Sequence, residues 1–216
     1  MGVLSELRFI FYSIKKIIKI LLGKPIDPPR VPTMVEIWRQ NGAVIGDNVD
    51  LVECECTPYD ATTVQIGNNV TLVYTRLLTH DASLRKFVGN DCNKIGRIVI
   101  GDNVFVGYRS IILPNVKIGN NVIIGAGSVV TRNIPSNSVA VGNPARVICS
   151  CDEYILKHLA RMEEDGNVIW DKARLDMSLE ERQLFNQEID GKIVYMKSHD
   201  QAEIKYSPYT HKSDKQ

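Results

Sequence analysis

Aliphatic residues recur at every sixth position through the middle of the chain, between residues 98 and 130. The recurring positions are all isoleucine or valine: Ile100, Val106, Ile112, Ile118, Ile124 and Val130. A second series, two positions before each of these, is apolar or small throughout: Ile98, Val104, Ser110, Val116, Val122 and Ser128. Neither the 3.6-residue period of a helix nor the two-residue alternation of a flat strand explains this spacing. A six-residue repeat instead predicts a parallel β-helix, in which each repeat forms one short strand with its aliphatic side chain inside.

Glycine and polar turn residues punctuate this repeat. Glycine follows four of the aliphatic positions, at Gly101, Gly107, Gly119 and Gly125. We expect these glycines to turn the corners of the coil with positive φ. Asn and Asp tolerate left-handed conformations, so we interpret the polar pairs after glycine as corner residues and not as metal ligands. These pairs are Asp47-Asn48, Asn68-Asn69, Asp102-Asn103 and Asn120-Asn121.

The repeat is interrupted twice. Residues 52–62 break its phase and contain Glu53, Glu55 and Asp60, which we expect either to face solvent or to contact a substrate. Residues 81–97 form a longer, polar insertion that must leave the coil as a loop, because the strands on either side still have to stack. Loops on a rigid scaffold are frequent functional positions.

His80 stands at the root of this loop and is the one histidine of the repeat region. A lone histidine is commonly a surface or hydrogen-bonded structural residue. An imidazole at the base of the one long excursion is also well suited to act as a general base near neutral pH. The position favours the catalytic interpretation.

The chain ends carry different patterns. Residues 1–22 show an amphipathic helical pattern that charges interrupt too often for a membrane span. Its apolar side either packs on the body or a neighbouring subunit, or lies on an acidic membrane surface. Residues 23–42 form a proline-rich connector, residues 149–196 a mostly helical appendage, and residues 197–216 a flexible tail. Within the appendage we expect a helix over 152–162 and a second helix opened by a capping box at Ser178–Glu181.

Composition excludes some classes of protein. The net charge is +1, with 26 basic and 25 acidic residues, so bulk charge gives no indication of nucleic-acid binding. The 5 cysteines include no Cys-x-x-Cys pair, which favours reduced thiols in a cytoplasmic protein and no metal site. A zinc-dependent carbonic anhydrase on this scaffold would need three histidines around the metal, and the repeat region has only His80.

Residues 43–148 resemble the hexapeptide-repeat acyltransferases, and most closely the sugar O-acetyltransferases of the maltose and galactoside type. The match rests on the phased repeats, on Thr79-His80-Asp81 and on three stretches: Ile100–Gly107, Ile124–Arg132 and Gly142–Arg146. The resemblance implies an all-β core, a left-handed parallel β-helix with three hexads per coil. It also implies a homotrimer with acetyl-coenzyme A (acetyl-CoA) as co-substrate, bound between adjacent prisms without a metal.

The resemblance also assigns roles to individual residues. His80 would be the general base, and the Tyr108 N–H would bind the developing oxyanion beside Gly107, where the missing Cβ lets a ligand approach. Coenzyme contacts carry over to Tyr108, Ala126, Thr131, Arg132 and Arg146. The two arginines suit phosphate groups.

These features predict an acetyl-CoA-dependent O-acetyltransferase acting on a sugar hydroxyl. The added terminal segments indicate the polysaccharide-modifying branch, with a capsule or lipopolysaccharide precursor as acceptor. We expect a cytoplasmic enzyme, with peripheral membrane contact through residues 1–22 as an open alternative. Three other functions stay open: a streptogramin-type drug acetyltransferase, an amino-sugar N-acetyltransferase, and a non-catalytic trimeric scaffold that binds no coenzyme.

Overall fold

The structure, a computed structural model, describes residues 32–56, 58–88, 92–163, 169–170, 176–191 and 193–196 of the 216-residue chain. The predicted helix of residues 1–22, the first part of the connector and the predicted tail of residues 197–216 lie outside these ranges.

Short strands dominate the described residues. In chain order they are β1 Val44–Ile45, β2 Val49–Val52, β3 Val64–Ile66, β4 Val70–Val73, β5 Arg76–Leu77, β6 His80–Asp81, β7 Lys94–Ile95, β8 Ile98–Ile100, β9 Val104–Val106, β10 Ile111–Ile112, β11 Lys117–Ile118, β12 Val122–Ile124, β13 Val129–Val130, β14 Ser138–Val141, β15 Arg146–Cys149, β16 Ile169–Trp170 and β17 Tyr195–Met196. The helices are α1 Met34–Gln40, α2 Arg85–Val88, α3 Cys151–Glu163 and α4 Leu179–Glu188, with a 3-10 helix at Pro58–Thr63.

The strands form three sheets, one on each face of the coil, and the chain passes from one sheet to the next in turn. The sheet orders are β1-β3-β8-β11, β2-β4-β9-β12-β14-β15 and β5-β10-β13, and only β14–β15 pairs antiparallel among them. Val104 pairs with Val122 and Ile111 with Val129, so a regular coil takes 18 residues, which are three hexads. The prediction of a mostly β core built from parallel strands is confirmed.

Both predicted series of inward-facing residues are buried. Every residue of the series from Ile100 to Val130, and of the series from Ile98 to Ser128, is between 0% and 2% exposed. Burial of these aliphatic groups is the main favourable contribution to folding of the coil. Ser110 and Ser128 satisfy their buried hydroxyls by donating to the carbonyls of Gly107 and Gly125, at 2.8 and 2.6 Å.

The prediction that the hexad glycines turn the corners with positive φ is wrong. Positive φ occurs two positions later, at Asn48, Asn69, Asn103 and Asn121, with values between 53° and 56°. The glycines are needed because coils stack closely: a Cβ on Gly101 would lie 2.9 Å from the carbonyl carbon and oxygen of Gly119. The asparagines also hydrogen-bond along the corner, as from Asn69 Nδ2 to Asn103 Oδ1 at 2.8 Å.

The connector of residues 23–42 contains a helix that the sequence analysis did not predict. Thr33 caps α1 by accepting from the Glu36 N–H, and the Glu36 carboxylate accepts from the Thr33 N–H at 2.8 Å. Trp38 is 3% exposed in the core, and Arg39 donates to the Ile45 carbonyl at 2.9 Å. The helix therefore covers the first coil and satisfies carbonyl groups at its open end.

The long insertion and the appendage leave the coil as separate elements. In the insertion, β6 and β7 pair antiparallel and α2 lies between them. In the appendage, α3 begins one residue before the predicted helix and ends one residue after it. The predicted capping box is confirmed, because Ser178 and Glu181 exchange both hydrogen bonds at the start of α4.

Candidate active site

A hydrogen-bonded pair of His80 and Asp60 lies at the root of the long insertion. The imidazole Nδ1 of His80 is 2.6 Å from Asp60 Oδ2. The side chain of Asp60 is 10% exposed and that of His80 is 30% exposed, so solvent screens the pair only partly. When the carboxylate is ionised, Nδ1 carries the proton and donates to it, and Nε2 is then the basic atom of the ring.

Asp60 is a candidate site residue whose place the sequence pattern left open. Of the two alternatives for Asp60, the solvent-facing one is wrong, since the residue is 8% exposed and contacts His80. The 3-10 helix Pro58–Thr63 positions it, and Thr63 Oγ1 closes that turn by donating to the Asp60 carbonyl at 2.5 Å. The break in the six-residue phase at residues 52–62 is the sequence signal that points to Asp60. An acidic residue inserted outside the repeat is not explained by the packing of the coil.

A cleft of about 670 Å³ opens beside the imidazole, and His80, Asp81, Lys94, Asn115 and Thr131 are among its lining residues. Asp81 and Lys94 form an ion pair across the antiparallel β6–β7 pair. The hydrogen bond from Lys94, helped by that from the Ser83 N–H at 2.8 Å, lowers the pKa of Asp81 to about 2. The insertion is therefore tied together at its base, next to His80.

Tyr108 and Ala126 lie at the opposite end of the strands of the sheet β5-β10-β13, before β10 and β13 respectively. Both are solvent-exposed. We call this corner of the coil the Tyr108 edge. The Gly127 N–H donates to the Tyr108 carbonyl at 2.8 Å. Gly127 has φ +69°, and a Cβ added there would meet nothing within 4 Å, so the edge is open beside Ala126.

Gly107 does not serve the role expected for it. A Cβ at this position would lie 2.6 Å from the Ala126 backbone nitrogen, which belongs to the next coil. Gly107 is therefore required for stacking of the coils, and the open surface at this edge lies at Gly127 instead.

The structure divides the predicted site residues between two corners of the coil: the Tyr108 edge, and the corner with the cleft beside His80, which we call the His80 edge. His80 and Thr131 line the same cleft, and Arg132 follows Thr131 in the chain. Tyr108, Ala126 and Arg146 do not line that cleft. Arg146 begins β15 with an exposed side chain, and its Nη1 donates to the Ala145 carbonyl at 2.9 Å.

Two kinds of feature are absent from the described part of the chain: a cluster of metal ligands and a membrane-spanning helix. No group of three or more His, Cys, Asp or Glu side chains there could hold a metal ion. None of the helices described has both the length and the apolar run that crossing a bilayer requires.

Known proteins share the repeat and much of the chain. Residues 97–132 match the family model of the bacterial transferase hexapeptide, with six repeats. The protein CapG of Staphylococcus aureus is 40% identical over 142 residues, which are 63% of this chain and 83% of CapG. A solved maltose O-acetyltransferase from Clostridium difficile 630 is 29% identical, with a TM-score of 0.39 over 64% of this chain and 84% of that one. A galactoside acetyltransferase solved in complex with coenzyme A is also 29% identical, with a TM-score of 0.42 over 58% and 76% of the two chains. The extent and identity of the match to CapG, together with the repeat itself, show that the chain belongs to the bacterial hexapeptide-repeat transferases, the acyltransferase family that its sequence resembles.

Proposed function

We propose that the protein is an acetyl-CoA-dependent O-acetyltransferase that modifies a sugar hydroxyl. The observation that carries the proposal is the His80–Asp60 pair, 2.6 Å apart and beside an open cleft. Membership of the hexapeptide-repeat transferases supports an acyl transfer, and the similar galactoside acetyltransferase holds coenzyme A.

His80 acts as the general base in this mechanism. A neutral hydroxyl is a weak nucleophile, so Nε2 of His80 removes its proton as the oxygen attacks the thioester carbonyl carbon. Asp60 accepts from Nδ1–H, which fixes the tautomer and stabilises the imidazolium that forms. The carbon–sulfur bond then breaks, and the imidazolium returns the proton to the departing thiolate. The products are the acetyl ester and free coenzyme A.

Acetyl-CoA, the donor substrate, supplies the acetyl group as a thioester, and the edge at Tyr108 fits it. The Tyr108 N–H makes no hydrogen bond within the described residues and would donate to the thioester oxygen. The open surface at Gly127 leaves room for the extended pantetheine arm beside Ala126. Arg146 is exposed at the start of β15, and Arg132 is exposed beside Thr131 after β13. Both would contact the coenzyme's phosphates in a cleft that two copies form together.

The division of the site between two edges supports a trimer of left-handed prisms. If the Tyr108 edge of one copy packs against the His80 edge of the next, base and oxyanion donor meet in one cleft. A closed ring of three copies then completes three equivalent sites. The expected mass in solution is three times 24.3 kDa, which analytical ultracentrifugation measures.

The similarity to CapG, whose name is connected with a capsule, supports the choice of acceptor class. We propose a capsule or lipopolysaccharide precursor as acceptor. Peripheral membrane contact through residues 1–22 would suit a lipid-linked precursor, and those residues lie outside the described ranges.

A thiol-release assay tests the proposal. Purified protein is mixed with acetyl-CoA and a panel of methyl hexopyranosides, and free thiol is followed with a chromogenic disulfide. We expect His80→Ala to lose at least about 100-fold in kcat with coenzyme binding retained, since general bases contribute at least that much. His158→Ala is the matched control, because His158 bonds to the Tyr195 hydroxyl in the appendage at 2.9 Å. Full activity of His80→Ala, or no coenzyme binding by the wild-type protein at millimolar concentration, would contradict the proposal.

A further inference from the structure

The Tyr108 edge of the coil carries long side chains in its first coils and a glycine in a later one. Four residues with left-handed backbone follow one another there in successive coils: Glu53, Tyr74, Arg109 and Gly127, with φ between 49° and 69°. Backbone hydrogen bonds stack them, with Tyr74 N–H donating to the Val52 carbonyl at 2.7 Å. The first three positions carry long side chains and the fourth is bare glycine.

Two tyrosines and an arginine form a solvent-exposed cluster on the part of the edge that carries side chains. The rings of Tyr74 and Tyr108 are 5.0 Å apart between centroids and are inclined by 56°. They are 45% and 44% exposed. The Arg109 guanidinium carbon lies 5.2 Å from the Tyr108 ring centroid. We call Tyr74, Tyr108 and Arg109 the aromatic platform.

The backbone at Tyr74 is costly to maintain. A bulky residue with positive φ is a genuine outlier and is strained, whereas Asn or Gly occupies such positions without that cost. The same chain uses Gly127 at the equivalent place in a later coil. A large aromatic residue held there, and left exposed to water, indicates a requirement for its ring.

We propose that the aromatic platform binds the pyranose ring of the acceptor sugar, a proposal that rests on the acetyltransferase function given above. The donor lies along the bare part of the edge, from the Tyr108 N–H past Gly127 towards Arg146. The acceptor hydroxyl must reach the thioester carbon from the other side, and Tyr74 is the exposed side chain that lies there, one coil earlier.

The chemistry of the platform suits a carbohydrate. The C–H groups of one face of a pyranose carry partial positive charge, and an aromatic face carries negative charge. The rigid fork of N–H groups on Arg109 donates to the ring hydroxyls or to a carboxylate of the sugar. The adenine of the coenzyme is the competing aromatic-binding ligand, but its phosphates are expected near Arg132 and Arg146, on later coils.

The test compares cyclic and acyclic acceptors in variants of Tyr74. Tyr74→Asn removes the ring and keeps a residue that tolerates positive φ, and Tyr74→Phe keeps the ring without the hydroxyl. For methyl β-D-galactopyranoside and the other methyl hexopyranosides of the panel, we expect KM to rise about tenfold in Tyr74→Asn and less than twofold in Tyr74→Phe. For glycerol, an acyclic hydroxyl acceptor, both variants should stay within twofold of the wild type. Leu156→Ala, at an exposed position of α3, is the control.

Binding measurements separate this proposal from the proposed function. Saturation-transfer NMR with methyl β-D-galactopyranoside reports ring contact without catalysis, and we expect the signal to fall in Tyr74→Asn. This readout decides the point even if the wild-type protein transfers no acetyl group, a result that would count against the function alone. The platform is refuted if Tyr74→Asn affects glycerol and pyranosides equally, leaves both the KM and the NMR signal unchanged, or weakens coenzyme binding by as much as acceptor binding.

Discussion

Asp60→Asn isolates the charge of the carboxylate that contacts His80. The asparagine has the same shape, and its Oδ1 accepts the hydrogen bond from Nδ1–H, so the imidazole keeps its orientation. Hydrogen bonds to a charged group contribute about 1.5–3 kcal/mol and neutral ones about 0.5–1.5 kcal/mol, so the variant loses about 1–2 kcal/mol. That difference acts on the transition state, where the imidazolium forms, and predicts a fall in kcat of about 5- to 30-fold. The 30% exposure of the His80 side chain favours the lower half of this range.

The assay follows thiol release at saturating acetyl-CoA, with coenzyme affinity and melting temperature measured on the same preparations. We expect kcat to fall while KM for acetyl-CoA stays within twofold, because Asp60 contacts the base and is not expected to contact the donor. Asp50→Asn, an exposed carboxylate in β2, is the matched control and should leave kcat unchanged. A kcat in Asp60→Asn equal to that of the wild type, with the fold intact, would refute the role of Asp60 in stabilising the imidazolium. A larger loss would mean that the amide turns its NH₂ group to Nδ1 and imposes the wrong tautomer.

The remaining predictions concern the coil, the thiols and the base of the insertion. Ile112 is 0% exposed, so Ile112→Ala should lower the free energy of unfolding by about 2–5 kcal/mol in urea denaturation, and a loss below about 0.5 kcal/mol would contradict the packing described. Burial raises the pKa of Cys56 to about 11, so at pH 8 iodoacetamide should label exposed Cys92 first, and peptide mass spectrometry showing the reverse order would be inconsistent with this. The hydrogen bonds from Lys94 and, to a smaller extent, Ser83 lower the pKa of Asp81 from 3.8 to about 2, so the stabilisation from these contacts is present above pH 3.8 and is lost as the pH falls through about 2. An NMR titration should show the Asp81 pKa rising towards 3.8 in Lys94→Ala, and an unchanged value would exclude Lys94 as its cause.

The sequence alone determines the regular features of this protein. The six-residue period identifies the inward-facing series from Ile100 to Val130, because each hexad repeats the same environment and its side chains pack against equivalent hexads above and below. The Asn residues at the corners and the position of His80 beside the longest insertion are visible in the same way. These features depend on local spacing, which the sequence states directly.

Only the tertiary structure decided the features that depend on contacts between coils of unequal length. A regular coil takes 18 residues, but Val49 pairs with Val70 across 21 residues and Val70 pairs with Val104 across 34. These longer steps place Asp60 against His80 and the ring of Tyr74 against that of Tyr108, 34 residues away in the chain. The reason for the hexad glycines is likewise a close approach between coils, and not the φ of the glycine itself. No period in the sequence encodes such pairings, because they depend on how far each insertion shifts one coil relative to the next.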